Sequence, residues 1–212
     1  MEHMSPTPVL TSRIDVEIPQ WLVVPDTEGA TPAWRAEVLE LFAAIVRVDD
    51  AAEGEDRVFD DGRQVDPVAA LDTLLEFRAA LGAEGRLVAG LGVPNRWPLP
   101  VVVSVGVAEP GGESLLELAG AEGGLPVERP AVDELPDDVG GEGPIVTRYD
   151  LDDSGAIWAT VCAVRRETLV GADGPVDVDT RVMWRTSDLD VVPVFGGELV
   201  GLIGAIRNEV HA

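Results

Sequence analysis

The chain has 212 residues, 46% of them apolar, and sets 15 Lys+Arg against 39 Asp+Glu for a formal net charge of -24. Every basic residue is Arg, so Walker-type phosphate loops, Schiff-base catalysis and pyridoxal-phosphate chemistry, each of which needs a Lys amine, have no residue to work with. A surface this negative repels phosphates, which argues against nucleic acid and against anionic membranes as partners.

In chain order, Met1-Glu2-His3-Met4 reads as a cloning remnant ahead of a native start at Met4. Residues 1–13 are expected to be a disordered, Pro-bearing leader to one domain spanning 14–212. Ile14-Asp15-Val16-Glu17-Ile18 alternates with period two and predicts a half-buried strand that stops at Pro19 and resumes in Trp21-Leu22-Val23-Val24. Thr31 and Pro32 open a first helix whose apolar face is Trp34, Val38, Leu41, Phe42 and Ile45. Asp66 and Pro67 open a second, with Val68, Leu71, Leu75 and Leu74, Leu81 as its apolar rows and Gly82 past its end.

From Leu87 the apolar period becomes two. Strands are predicted over Leu87–Val93 and Leu99–Val107, the second with a face of small residues, Ser104 and Gly106, suited to packing under a helix. Residues 111–144 are irregular, with one short helix around Leu115–Leu118. Ile145–Leu151 and Ala156–Val164 flank the turn Asp152-Asp153-Ser154-Gly155 as a hairpin. Val176, Val178, Thr180, Val182 and Trp184 form the inward face of another strand. Leu199, Leu202, Ile203, Ile206 and Val210 predict a closing helix, on which Gly201 and Gly204 would admit a close neighbour. Helices, then strands, then a helix predict an α+β fold, a central and mainly antiparallel sheet covered by helices.

The residues that carry common chemistries are scarce. His3 and His211 lie beside the termini, so no Ser-His-Asp or Cys-His arrangement and no His/Cys zinc spacing is available. Cys162 stands in an apolar run and reads as a buried structural thiol; a single Cys closes no intramolecular disulfide. With no signal pattern and no apolar run of roughly 20 residues, the expected location is the cytoplasm. Gly90-Leu91-Gly92-Val93-Pro94-Asn95 begins like a dinucleotide fingerprint but has Asn95 in place of its third Gly and a strand in place of its helix.

Two features could bind something. Asp150-Leu151-Asp152-Asp153-Ser154-Gly155 matches the start of an EF-hand loop, making Asp150, Asp152 and Ser154 candidate metal ligands; Val161 stands where the bidentate Glu belongs, and the flanks are strands, so an ordinary acidic turn is the simpler reading. The acid run Asp49, Asp50, Glu53, Glu55, Asp56, Asp60 and Asp61 joins the two helices, and a second run, Asp133, Glu134, Asp137, Asp138 and Glu142, lies in the irregular segment. The plainer reading of both is a solvated loop; the functional reading is a docking surface for a basic protein, for which the first run, Asp49 to Asp61, supplies the candidate residues.

Ile18-Pro19-Gln20-Trp21, Gly143-Pro144-Ile145-Val146-Thr147-Arg148-Tyr149 and the ending from Trp184-Arg185-Thr186-Ser187-Asp188 through Phe195 to Leu202, Ile203 and Ile206 resemble, in layout, small actinobacterial proteins of the PsbP-like type. That resemblance implies a sheet with helices on its faces and a non-catalytic binding or accessory role, sometimes tied to secretion or toxin systems. It supplies no functional residue. The expectation is therefore a cytoplasmic, non-enzymatic protein that binds a basic protein partner, as an accessory or immunity-like factor, with no cofactor. The alternatives are a carboxylate- or divalent-metal-dependent hydrolase at Asp150 and Asp152, and a small-ligand domain with an apolar pocket.

Overall fold

Period-two patterning dominates the second half of the chain, and the computed structural model, which describes residues 9–16, 20–51, 59, 63–82, 85–172 and 174–211, turns it into strands. The strands are β1 (Val9–Ile14), β2 (Trp21–Val24), β3 (Arg86–Gly90), β4 (Leu99–Val107), β5 (Ala131–Glu134), β6 (Pro144–Leu151), β7 (Ile157–Gly171), β8 (Gly174–Thr186) and β9 (Ile206–His211). The helices are α1 (Pro32–Ala51), α2 (Pro67–Ala80), α3 (Leu115–Leu118), α4 (Val192–Phe195) and α5 (Glu198–Gly204). Seven strands hydrogen-bond in the order β2-β3-β4-β8-β7-β6-β5, while β1 and β9 form a two-stranded ribbon. The pairs β2–β3, β3–β4, β5–β6, β6–β7 and β7–β8 are antiparallel, so the α+β class expected from the sequence is the class found. The chain divides into two compact units, Val16–Val103 and Met1–Asp15 with Ser104–Ala212, and β4 contributes residues to both.

In the unit of residues 16–103, both helices start where their caps predict. Thr31 Oγ1 accepts from the Trp34 N–H at 3.2 Å, and Asp66 Oδ1 accepts from Val68 and Ala69 N–H at 2.9 and 3.2 Å, satisfying donors that the first turn leaves without partners. Their apolar faces bury Val38, Phe42, Leu71 and Leu74 with Leu22, Val24 and Leu87. Phe42 also meets Trp97, ring centroids 5.0 Å apart. Burying each such large side chain contributes about 1.5–3 kcal/mol, and these residues form the core of this unit.

In the other unit, β7 is inward on both faces. Cys162 and Val164 face Ala119, beside α3, and Val146 of β6. The alternate residues Val161 and Ala163 are equally buried. Beside Val161 stands Trp184 of β8, which packs edge-on against Phe195 of α4 at 4.9 Å. A strand buried on both faces cannot alternate apolar with polar, which is why Val161-Cys162-Ala163-Val164 is a continuous apolar run.

Three expectations are corrected. Residues 9–13 are not disordered: they belong to β1, which pairs with β9 from Val9↔His211 to Ile14↔Ile206. The closing helix does not continue to Val210; it ends at Gly204, and from Ile206 the buried residues are every second one, Ile206 and Asn208 between exposed Arg207 and Glu209. Ile206 and Val210 fit both periods over so short a stretch, and the availability of β1 as a partner decides for strand. The small-residue face of β4 is not packed closely at Gly106, where an added Cβ would meet nothing within 4 Å. Of the closing helix's two glycines, Gly204 has Val139 in ordinary contact range and Gly201 has open space.

Candidate functional site

Asp49, the first residue of the acid run between the helices, lies near the end of α1 and is buried, 8% exposed. Its Oδ2 accepts from the indole Nε1–H of Trp97 at 2.8 Å and from the backbone N–H of Asn95 at 3.0 Å. Asn95 sits in the left-handed region at φ 59, a conformation that Asn tolerates better than most residues, so Asp49 holds a strained turn and the core Trp together. Asp49 therefore does not belong to a docking surface. The same turn explains the glycine-like opening at Gly90: the chain passes through Asn95 into β4, with no helix to receive a dinucleotide. Asp50 is exposed, with Gln64 Nε2 at 3.5 Å from its Oδ1. Glu53, Glu55, Asp56, Asp60 and Asp61 lie outside the described residues.

The EF-hand-like turn has used its oxygens internally. Asp152 Oδ1 accepts from Ser154 Oγ–H at 2.6 Å and from the Ser154 and Ala156 N–H groups at 2.9 Å each, and Oδ2 accepts from Trp158 Nε1–H at 3.0 Å. The Ser154 hydroxyl first, then the Trp158 indole and the Ala156 amide, bring its carboxyl down to about 2. Asp150 is held by the Arg148 guanidinium, which donates to it through Nε at 2.8 and 2.9 Å and through Nη2 at 2.7 Å. The remaining Arg148 nitrogen, Nη1, ties down the Gly120 and Gly123 carbonyls. Among the described residues no group of three or more His, Cys, Asp or Glu is arranged to hold a metal ion. Asp152 and Ser154 form an Asx-type turn closing the β6–β7 hairpin, and Asp150 is a β6 residue paired with Arg148.

The second acid run is presented differently. Asp133 and Glu134 are in β5, Asp137 and Asp138 open a single 3-10 turn after Pro136, and Glu142 bridges to Arg166 through the backbone; all five side chains are exposed. None of Asp133, Glu134, Asp137 and Asp138 makes an ion pair or side-chain hydrogen bond with another described residue. Arg166, whose field reaches Glu142, is committed to Asp179 through two bonds of 2.7 Å. β5 lies at the end of the sheet order and, among the described residues, pairs with β6 alone, from Ala131↔Thr147 to Glu134↔Pro144.

A buried polar cluster escaped the sequence reading. The Arg165 side chain, 2% exposed, donates through Nη1 to the Ile203 carbonyl at 3.0 Å and through Nη2 to Ile206 O at 2.9 Å and Glu167 Oε1 at 3.0 Å. Asn208 Nδ2 donates to the same Glu167 oxygen at 2.6 Å and to Thr180 Oγ1 at 2.8 Å. Burial lowers the Arg165 pKa against the opposing pull of Glu167. The signal was present: Arg165 continues the inward phase Val161, Ala163, Arg165, where an unpaired charge would be costly. Cys162 is buried and its thiol pKa is pushed up by desolvation, as a structural thiol requires.

A cleft of about 890 Å³ lies among Pro25, Asp26, Arg35, Asp72, Glu76 and Arg78, within the unit of residues 16–103. Its walls mix these side chains with apolar Ala30, Leu75 and Ala79, and the Arg35–Asp72 pair at 2.9 Å lies among them. Comparison with protein-family models, with curated proteins and with solved structures finds no match, so the PsbP-like resemblance rests on sequence layout alone. No described helix is long and apolar enough to cross a membrane.

Proposed function

We propose that this chain is a non-catalytic cytoplasmic binding protein, an accessory or immunity-like factor whose partner is a basic protein. The observation that carries this reading is the exposed run Asp133, Glu134, Asp137, Asp138 and Glu142 on and after an edge strand, with four of its carboxylates paired with no cation among the described residues. Carboxylates engaged within the fold, such as Asp49, Asp150 and Asp152, leave the second run as the better candidate for the docking surface. Uncompensated charge at a surface speeds encounter with an oppositely charged partner and selects against like-charged ones.

The test compares wild type with a variant carrying Asp133→Asn, Glu134→Gln, Asp137→Asn, Asp138→Asn and Glu142→Gln as bait in lysate of the native host at two ionic strengths. The reading expects one basic protein captured in stoichiometric amount by wild type at low salt and lost from the neutralised bait. Equal capture by both baits, or none by either, overturns it.

A further inference from the structure

We infer that the free edge of β5 takes up an extended, basic segment of the partner as an added antiparallel or parallel strand, an inference that rests on the docking reading above. The backbone supplies the reason. Leu135 N–H donates to the Gly143 carbonyl at 2.9 Å, and with the register Asp133↔Ile145 and Ala131↔Thr147 this turns the odd-numbered backbone groups toward β6. The N–H and C=O of Val132 and Glu134 then point away from the sheet, because successive residues of a strand alternate in direction. No described backbone group accepts from or donates to them outside the β6 ladder. An open row of this kind is the template that strand-addition ligands use.

Charge complementarity decides the occupant. A second copy of this chain, at a net charge of -24, would bring its own Asp133 and Glu134 against the same pair, and like charges facing across strands are destabilising. A strand carrying Lys or Arg opposite Asp133 meets a carboxylate instead, on the face away from Val132 and Glu134. Val132, 48% exposed and opposite buried Val146, offers an apolar contact to an alternate residue of that strand. Pro130 and Pro136 bound the open edge, so recognition spans a short window and selects an alternating basic and apolar segment.

The probe is a capped eight-residue peptide of alternating Lys and Val, and its control is the same peptide N-methylated at every residue, which keeps the charge and loses the strand donors of both edges. Titrated into the full-length protein at low salt, the unmodified peptide is expected to slow amide hydrogen exchange at Val132 and Glu134 by about tenfold or more and to bind about tenfold more tightly than the control. Val132→Pro removes one outward N–H without touching the β6 ladder, and should weaken the unmodified peptide several-fold while leaving the thermal midpoint close to wild type. Salt-sensitive binding that is equal for both peptides, with no protection at Val132 and Glu134, overturns the strand inference and leaves charge docking standing. No salt-sensitive binding by either peptide overturns both. Protection that rises with protein concentration in the absence of peptide assigns the edge to a second copy and overturns the inference.

Discussion

Arg165 donates to the carbonyl of Ile206 from a side chain that is 2% exposed, tying β7 to the first residue of β9. With its bonds to Ile203 and Glu167 it satisfies the end of α5 and the start of the ribbon strand in one group. Arg165→Met should therefore strand those acceptors and lower stability by about 3 kcal/mol. Urea unfolding with an unchanged slope would read this as a shifted midpoint. Arg165→Lys, which keeps the charge but lacks the planar fork, should recover only part of it. A loss under about 1 kcal/mol for Arg165→Met would contradict the pinning role.

Asp49 and Trp97 give a prediction that separates fold from binding. Asp49→Ala leaves the Trp97 indole and the Asn95 amide without an acceptor in a buried setting, for an expected loss of about 3 kcal/mol. Asp49→Asn retains an acceptor oxygen and should lose less. Neither should change affinity for the basic peptide by more than about twofold, measured calorimetrically on folded protein; a larger change would return Asp49 to the docking surface.

The Asp152 carboxyl should titrate near 2 when its carbon resonance is followed by NMR. Because its folded value lies below the ordinary 3.8, the hairpin gains from ionised Asp152 above about pH 4 and loses that gain as pH falls from 3.8 through 2. Asp152→Asn should lack this acid-limb dependence. With both oxygens already accepting, millimolar Ca²⁺ should leave the resonance unmoved; a saturable shift would revive the metal reading.

Gly143 and Gly111 test where backbone freedom is needed. Both have positive φ, 152° and 75°, but an added Cβ at Gly143 would strike the Val164 carbonyl, while at Gly111 it would meet nothing within 4 Å. Gly143→Ala should cost well over about 1 kcal/mol and Gly111→Ala roughly 1, the penalty of conformation alone. Thermal denaturation of the two variants gives the order, and equal losses would contradict it.

Local signals determined much of this protein in advance. The Thr31 and Asp66 caps, the Pro residues that follow them, and the apolar faces of α1 and α2 specify helices within a few residues of chain. Alternation in Val176–Trp184 and the Asp152–Gly155 turn likewise specify strands and a hairpin, and the absence of Lys removes whole classes of chemistry. What local patterning could not decide was pairing. β1 and β9 stabilise each other across nearly the full length of the chain, so a leader and a helix end became strands. β5 has an exposed face throughout and no apolar alternation, and it is a strand because β6 lies beside it. The carboxylates show the same division. Sequence ranks Asp49 with Asp133 as members of acid runs, yet a carboxylate's role depends on which donors come within about 3 Å of it, and residues 46 and 48 positions away bring those donors to Asp49.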